Sequence, residues 1–169
     1  VWHTGCKMIA MVSDSANPVL TYNTISFYST WVHLQSIDDL SGFKVKSEGK
    51  EYDFSIKVDD SEDADEKYVI KYGDKKLTAE NFQSFYQYCI SLTVSEFVVD
   101  NVTASPEYEI TYIDSDTGSS TKISFYRISA TKYQFSVNGE MIGKINASDI
   151  NRIADYVKKV AKDEAITIL

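Results

Sequence analysis

Apolar and polar residues alternate with a period of two along much of this chain, and twice that alternation gives way to apolar steps of three and four. Phe43 and Val45 alternate with Lys44 and Lys46, and Tyr52, Phe54, Ile56 and Val58 alternate with polar neighbours. A period of two places one set of side chains on a single face of a strand. The turn-forming stretch Ser47-Glu48-Gly49-Lys50 separates the two runs, so they are expected to form a hairpin. Tyr68 to Tyr72, a turn at Gly73-Asp74 and a helix over Ala79–Leu92 come next. Thr78 is the expected N-cap of that helix, because a hydroxyl there can accept from the free amides of the first turn. An apolar strand is expected at Phe97-Val98-Val99.

The same series then recurs. Tyr108, Ile110 and Tyr112 alternate with Glu109 and Thr111, Asp114 to Ser120 forms a turn, and Ile123 to Ile128 returns. Tyr133, Phe135 and Val137 lead to Asn138-Gly139, a dipeptide suited to the positive φ angles of a type I′ hairpin. Met141, Ile142 and Ile145 make a short strand, with Asn146 as cap of a helix from Ala147 to about Lys162. Lys158, Lys159 and Lys162 crowd its last turns, where cations offset the negative end of the helix dipole by ~0.3–1 kcal/mol each. Ile166 to Leu169 reads as a last strand or a frayed end.

Lys67 and Lys132, which open corresponding runs, lie 65 positions apart, while the two helices lie 68 apart. Phe82, Phe85, Tyr86, Cys89 and Leu92 correspond in this way to Ile150, Ile153, Ala154, Val157 and Val160, and each set forms one stripe along its helix. The expected fold is α+β: two similar antiparallel-sheet-plus-helix units, each β-β-β-β-α, in one composite domain. Residues 1–39 supply amino-terminal strands and a lead-in, 40–102 the first unit and 103–169 the second. Within the lead-in, Met8 to Val12 reads as a strand and Asp14 to Pro18 as a turn. Leu20 to Val32 fits neither period, leaving a short helix around Thr24–Thr30 or an irregular strand. Ser36-Ile37-Asp38-Asp39 has the spacing of a capped turn, cut short by Gly42.

A length of 169 residues suits one domain with a sizeable core, and the hydrophobic share of 43 % and charged share of 25 % are ordinary for a folded chain. The formal charge is −8, with 17 basic side chains against 25 acidic, which argues against nucleic acid as a partner because phosphate binding draws on clustered Lys and Arg. It also argues against contact with an anionic membrane face. The opening Val1-Trp2-His3-Thr4-Gly5-Cys6-Lys7 lacks a signal peptide's apolar core, so the chain reads as a piece of a longer protein with any anchor upstream. Two cysteines, Cys6 and Cys89, are too few for a disulfide framework, and Cys89 sits on the apolar helix stripe as a small hydrophobe.

Two segments resemble a known family. Asp65 to Thr78 running into Phe82-Gln83-Ser84-Phe85-Tyr86-Gln87 and Ile90-Ser91-Leu92-Thr93-Val94 is similar to the bacterial domain-of-unknown-function family 4340, in its carboxy-terminal part. Pro106 to Tyr112, Ser124-Phe125-Tyr126, Tyr133 to Glu140 and the helix start Ser148-Asp149-Ile150 continue the likeness, as does Ile37-Asp38-Asp39-Leu40 upstream. The resemblance covers roughly Ile37 to Ala161 and rests on packing and turn motifs. It implies an extracytoplasmic, cell-surface part of a membrane-anchored bacterial protein, with a membrane or transporter component, such as an ABC-type exporter, as protein partner. The family has no established catalytic residues, so none is carried over.

Candidate chemistry is sparse. Asp59-Asp60-Ser61-Glu62-Asp63-Ala64-Asp65-Glu66 echoes a calcium loop, yet Ala64 stands where such a loop needs Gly and Ile70 where it needs a bidentate Glu. A solvated hairpin loop is the better reading, and Asp114 to Gly118 is likewise an ordinary turn. His3 and Cys6 have a zinc-like spacing without a second ligand pair. No nucleophile elbow or phosphate loop occurs, and Glu107 with Glu109, or Asp38 with Asp39, are carboxylate pairs of the kind that 25 acids produce by chance. No catalytic, metal or cofactor residue is assigned. Tyr22, Phe27, Tyr28 and Trp31 form the candidate ligand-binding feature, able to stack on a sugar or meet a protein if exposed, with core packing as the alternative.

The expected function is a non-enzymatic extracytoplasmic interaction or scaffold domain; the alternatives are a carbohydrate- or peptide-binding module using the aromatic region and a hydrolase built on scattered carboxylates. The stripes themselves are testable. Phe85→Asp or Ile153→Asp buries a charge without a partner and is expected to lower the unfolding free energy in urea by several kcal/mol.

Overall fold

The chain is described here by a computed structural model over residues 30–59 and 67–167. Expectations for Met8–Val12, Asp14–Pro18 and the calcium-like loop, and nearly all of Thr24–Thr30, fall outside those residues, as do His3, Cys6, Tyr22, Phe27 and Tyr28. After the lead-in and a short 3-10 turn at Ile37–Asp39 come β1 (Leu40–Ser47), β2 (Lys50–Val58), β3 (Tyr68–Tyr72), β4 (Lys75–Leu77) and α1 (Ala79–Ile90). Then follow β5 (Tyr108–Asp114), β6 (Ser120–Arg127), β7 (Lys132–Val137), β8 (Glu140–Asn146) and α2 (Ala147–Ala161). Ser36 caps the 3-10 turn as its spacing suggests, its hydroxyl accepting from the Asp38 amide.

The fold is α+β, with all eight strands in one antiparallel sheet ordered β4-β3-β2-β1-β5-β6-β7-β8. Hairpin turns fix the registers: Glu48-Gly49 and Asn138-Gly139 both take left-handed φ at their two central residues, with values of 52°, 76°, 50° and 89°. That is the twist a two-residue hairpin requires. In the middle of the sheet β1 pairs with β5, setting Phe43 opposite Tyr112 and Val45 opposite Ile110.

The helix stripes are buried as their spacing predicts: Phe82, Phe85, Tyr86 and Cys89 on α1, with Leu92 just beyond it, and Ile150, Ile153, Ala154, Val157 and Val160 on α2. Phe43 is the hub under α1, meeting the rings of Phe82, Phe85, Tyr86 and Tyr112 edge-on with centroids 5.1–6.0 Å apart. Edge-to-face contacts of this kind stabilise by ~0.5–1.5 kcal/mol beyond area burial. α1 packs on β3, α2 on β7 and β8, and the helices touch each other. There Tyr88 donates to the Asp149 carbonyl at 2.8 Å and stacks edge-on against Tyr156.

Helix capping departs from expectation. Thr78 and Asn146 occupy the N-cap positions, yet neither side chain makes a cap bond. At α1 a stronger acceptor arrives from the far end of α2. Asp163 follows α2 in the left-handed region at φ 69°, with its amide bonded to the Val160 carbonyl and that of Glu164 to the Lys159 carbonyl. This is the double bond of a Schellman motif, with Asp where Gly is usual. The bend aims the Asp163 carboxylate at the start of α1, where it accepts from the Thr78 amide at 2.8 Å and the Thr78 hydroxyl at 3.0 Å, and from the Asn81 amide. A carboxylate at a helix N-terminus is electrostatically favoured. At Asn146 the helix entry is held instead by the Ala147 amide bonding to the Thr131 carbonyl. Of the three lysines expected to offset the end of α2, Lys158 reaches across to Glu48 at 2.7 Å.

Two ends are shorter than expected. α1 stops at Ile90, where the Ser91 hydroxyl and amide bond back to Tyr88 and Gln87 carbonyls. Ile166 and Thr167 form no strand; the Thr167 carbonyl accepts from Tyr156.

The expected strand Phe97–Val99 is instead part of a strap. Leaving α1, the chain makes one bridge to the edge of β8, between Glu96 and Lys144, then passes Gln134 of β7 and reaches β6, where the Glu107 amide bonds to the Phe125 carbonyl. Its backbone is committed to these separate anchors, so no ladder forms, and Val98 and Val99 are 60 % and 48 % exposed. Gly143 makes the close approach possible: a Cβ there would lie 2.5 Å from the Glu96 carbonyl oxygen. The strap also covers the β8 edge, while the opposite edge, β4, is only three residues long and carries Lys75 and Lys76. Both devices discourage edge-to-edge pairing.

The Asp163 contact yields a signed pH dependence. Burial alone would raise this carboxyl, but hydrogen bonds from Thr78 and Asn81 hold it below its ordinary value of 3.8. A lowered native pKa adds stability that is present above the ordinary value and disappears as pH falls through the native one. Asp163→Asn, which keeps an acceptor oxygen but loses the charge, is therefore expected to lower stability at neutral pH, with the gap from the parent closing below pH 3.8. Chemical denaturation of both proteins across that range measures it.

Candidate functional site

Four regions bring polar or titratable side chains together. The first is the sheet face away from the helices. Alternation puts Lys44, Lys46, Asp53 and Glu109 there, and they pair across strands: Lys44 with Asp53 at 2.6 Å, Lys46 with Glu109 at 3.3 Å, and Lys122 with Glu109 at 2.9 Å. Burial pushes Glu109 upward, but Lys122 and Lys46 together hold its pKa below the usual carboxylate value. This ladder crosses the β1–β5 junction. It is a staple between strands, with its carboxylate fully committed.

The second lies at the entry to β5. Tyr133 donates to Glu107 at 2.6 Å, and the Arg127 guanidinium donates to the Tyr133 oxygen at 2.8 Å. Burial, and then the Glu107 contact, raise the Tyr133 pKa, so its phenol stays neutral and serves as a donor. Glu107 and Glu109, the imagined acid–base pair, are thus bound to different partners. Asp38 is likewise held by Lys67 and the Tyr68 hydroxyl, each at 2.8 Å, and Lys67 chiefly lowers its pKa.

The third is in the core beneath α1. Cys89 is a buried free thiol whose pKa burial drives upward, so it is unreactive in the native fold. The Tyr112 hydroxyl nearby is buried without a hydrogen-bond partner. The His33 ring lies 4.5 Å from that of Tyr112, and its Nε2 is 3.3 Å from Gln35 Oε1. The turn at Asp114 is closed from within, Asp114 Oδ1 accepting from the Thr117 amide and hydroxyl at 2.8 Å each. Among the described residues, no three His, Cys, Asp or Glu side chains are grouped to hold a metal.

The fourth region differs in chemistry. The lead-in runs along α1, tied by the Val32 amide to the Leu92 carbonyl and by the Tyr86 hydroxyl to the Gln35 carbonyl. Between them lies an open groove of about 330 Å³, bordered by Gln35, Tyr68, Gln83, Gln87 and Ile90. No residue from Thr30 to Ile37 is Asp, Glu, Lys or Arg, and α1 has only Glu80 in its 12 residues. Trp31 and Leu34 are 45 % and 57 % exposed on this lead-in. Of the aromatic residues singled out in the sequence, Trp31 is therefore placed at the surface, beside Thr93, to which it is bridged. By contrast α2 turns Arg152, Asp155 and Lys159 to solvent. The amides of α1 and the exposed Leu34 were not anticipated, although the lack of charge between positions 30 and 37 can be counted in the sequence.

Compared with family models, with curated proteins and with solved structures, the chain has no match in any of the three. The described residues contain no helix long and apolar enough to cross a membrane.

Proposed function

We propose that this chain is a non-enzymatic interaction domain that docks a protein partner through the uncharged surface of the lead-in and α1. One observation carries the reading: in a chain whose residues are 25 % charged, this surface has almost none and exposes Trp31 and Leu34. Loss of charge together with an exposed Trp is the composition of an interface centre. Among the described residues, the carboxylates discussed above are each engaged by a lysine, arginine, tyrosine or threonine, which is consistent with it. The likeness to the domain-of-unknown-function family 4340 supplies the setting. In this reading the domain is an extracytoplasmic part of an anchored bacterial protein, and its partner is a membrane or transporter component.

The reading extends to the origin of the fold, which we take to be a duplication of one β-β-β-β-α unit. The strand registers support it. Leu77 and Ile145 each precede an N-cap residue, and they pair with Ile70 and Tyr133. Counted from the helix starts, the pairings match Ile70 to Tyr133, two residues off the Lys67–Lys132 correspondence, and carried inward they equate Phe54 with Phe125 and Val45 with Ile110. Val45 and Ile110 then face each other across β1 and β5, as equivalent residues do about a two-fold axis.

A carbohydrate-binding role remains the second reading, favoured by the exposed indole of Trp31 beside the amides of Gln83 and Gln87. A photo-crosslinking amino acid at Leu34 or Gln87, compared with one at Arg152, separates the outcomes in the native cell. Docking through the uncharged surface predicts one discrete protein adduct from the first two positions and none from the third. Identical adducts from all three, or none, would overturn it.

A further inference from the structure

The strap that passes β8 and β7 has the reverse polarity of an ordinary covering segment. Its valines, Val98 and Val99, are exposed, and from Val98 to Ser105 only Val102 is half-buried. The sheet face it crosses is polar. Ser124, Gln134 and Ser136 are three of the four buried polar side chains among the described residues. They are contiguous: Ser124 lies opposite Ser136, and Gln134 lies between Tyr126 and Lys144.

Polar contacts fasten the strap to this patch. The Gln134 side chain accepts from the Asp100 amide at 2.6 Å and donates to the Asp100 carbonyl at 2.9 Å. Lys144, whose side chain is 14 % exposed, pairs with the Asp100 carboxylate at 2.9 Å and more loosely with Glu96 at 3.8 Å. Lys132 takes Glu96 at 3.2 Å and donates to the Ser95 hydroxyl at 2.8 Å.

A permanent part of the core would be expected to bury its valines and leave serine and glutamine to water. Burying a valine stabilises by ~1.5–3 kcal/mol, whereas a buried polar group costs free energy unless it is well paired. The two serine hydroxyls are held only loosely, at 3.4 Å from Glu109 and 3.5 Å from Tyr126. Edge protection accounts for the bridge between Glu96 and Lys144. It does not account for the span beyond, which leaves the edge and crosses to Gln134. Segments with few buried apolar contacts open at low free-energy cost. Lifting residues 98–105 gives up little apolar contact and uncovers an amide, hydroxyls and two cations.

We propose that this face of β6, β7 and β8 is a binding site for an extended acidic polypeptide, which the strap occupies until such a segment displaces it. The strap's own contacts define the ligand. Gln134 clasps both backbone groups of one residue whatever its side chain, and Lys144 and Lys132 select carboxylates four positions apart. Gly143 leaves room for the ligand's main chain at the β8 edge. The site is separate from the uncharged surface of the lead-in and α1.

A copy of Thr93–Val102, Thr-Val-Ser-Glu-Phe-Val-Val-Asp-Asn-Val with acetylated and amidated ends, is the probe. It is titrated into two full, isotope-labelled chains, the parent and Glu96→Gln/Asp100→Asn, and followed by amide chemical shifts. Both substituted side chains are exposed and nearly isosteric, and unchanged hydrogen exchange in α1 and α2 verifies the fold. Shifts at Gln134 and Lys144 are expected in the variant at about tenfold or more lower peptide concentration than in the parent, because a tethered strap competes at high effective concentration. Saturating peptide should also make the Val98 to Asn101 amides of the parent exchange rapidly, an outcome that needs no substitution. Added salt weakens binding, and a peptide with lysine in place of both acids should leave both chains unmoved. No shift at Gln134 and Lys144 in either chain, equal affinity for the two, or equal binding of the lysine peptide would each overturn the proposal. None of these results bears on the crosslinks from Leu34 and Gln87, so the two readings fall separately.

Discussion

The antiparallel pairing of β1 with β5 is the constraint on which the rest of the structure depends. It turns two four-stranded sheets into one of eight and removes two inner edges that would otherwise be exposed. It also brings Phe43 and Tyr112 into edge contact, and with them the aromatic cluster under α1. On the other face the same junction is crossed by Lys46, Glu109 and Lys122. Apolar packing below and charge pairing above thus act on a single pair of strands. The helices repeat the connection: Asp163, after α2, closes the start of α1, and Lys75 donates to the Lys162 carbonyl beside it at 2.7 Å.

That joining shapes the surfaces available for function. The segment between α1 and β5 passes the β8 edge and shields the outer face of β7 and β8. On the first half, the same face carries Asp53 of β2, paired with Lys44 of β1. Likewise α2 meets solvent with charges, while α1 shares an uncharged surface with the lead-in. The two helices therefore present different surfaces to solvent.

Much of the fold could be read from period alone. The strands at Phe43, Tyr52, Tyr68, Tyr108 and Tyr133, and both helix stripes, follow from alternation that switches to steps of three and four, because one-sided burial imposes that switch. Asn138-Gly139 announced its hairpin through backbone conformation. Long-range choices were not legible in this way. Nothing local distinguishes an acceptor at Thr78 supplied by its own hydroxyl from one supplied by Asp163, 85 residues later. Phe97-Val98-Val99 has strand composition, yet its route around β8 is set by topology and by the space left at Gly143. The uncharged surface was visible only as a missing pattern, which periodicity does not report. Trp31 was singled out as an aromatic, and its exposure depends on how the lead-in is tied to α1.

Native-state hydrogen exchange of the full chain, resolved by residue, tests the central claim most directly. If the β1–β5 pairing unites the sheet, amides bonded between these two strands exchange only through global unfolding and respond to denaturant together with those of α1 and α2. Exchange of β5 to β8 with α2 through a separate, lower-energy opening, while β1 to β4 with α1 remain protected, would contradict it.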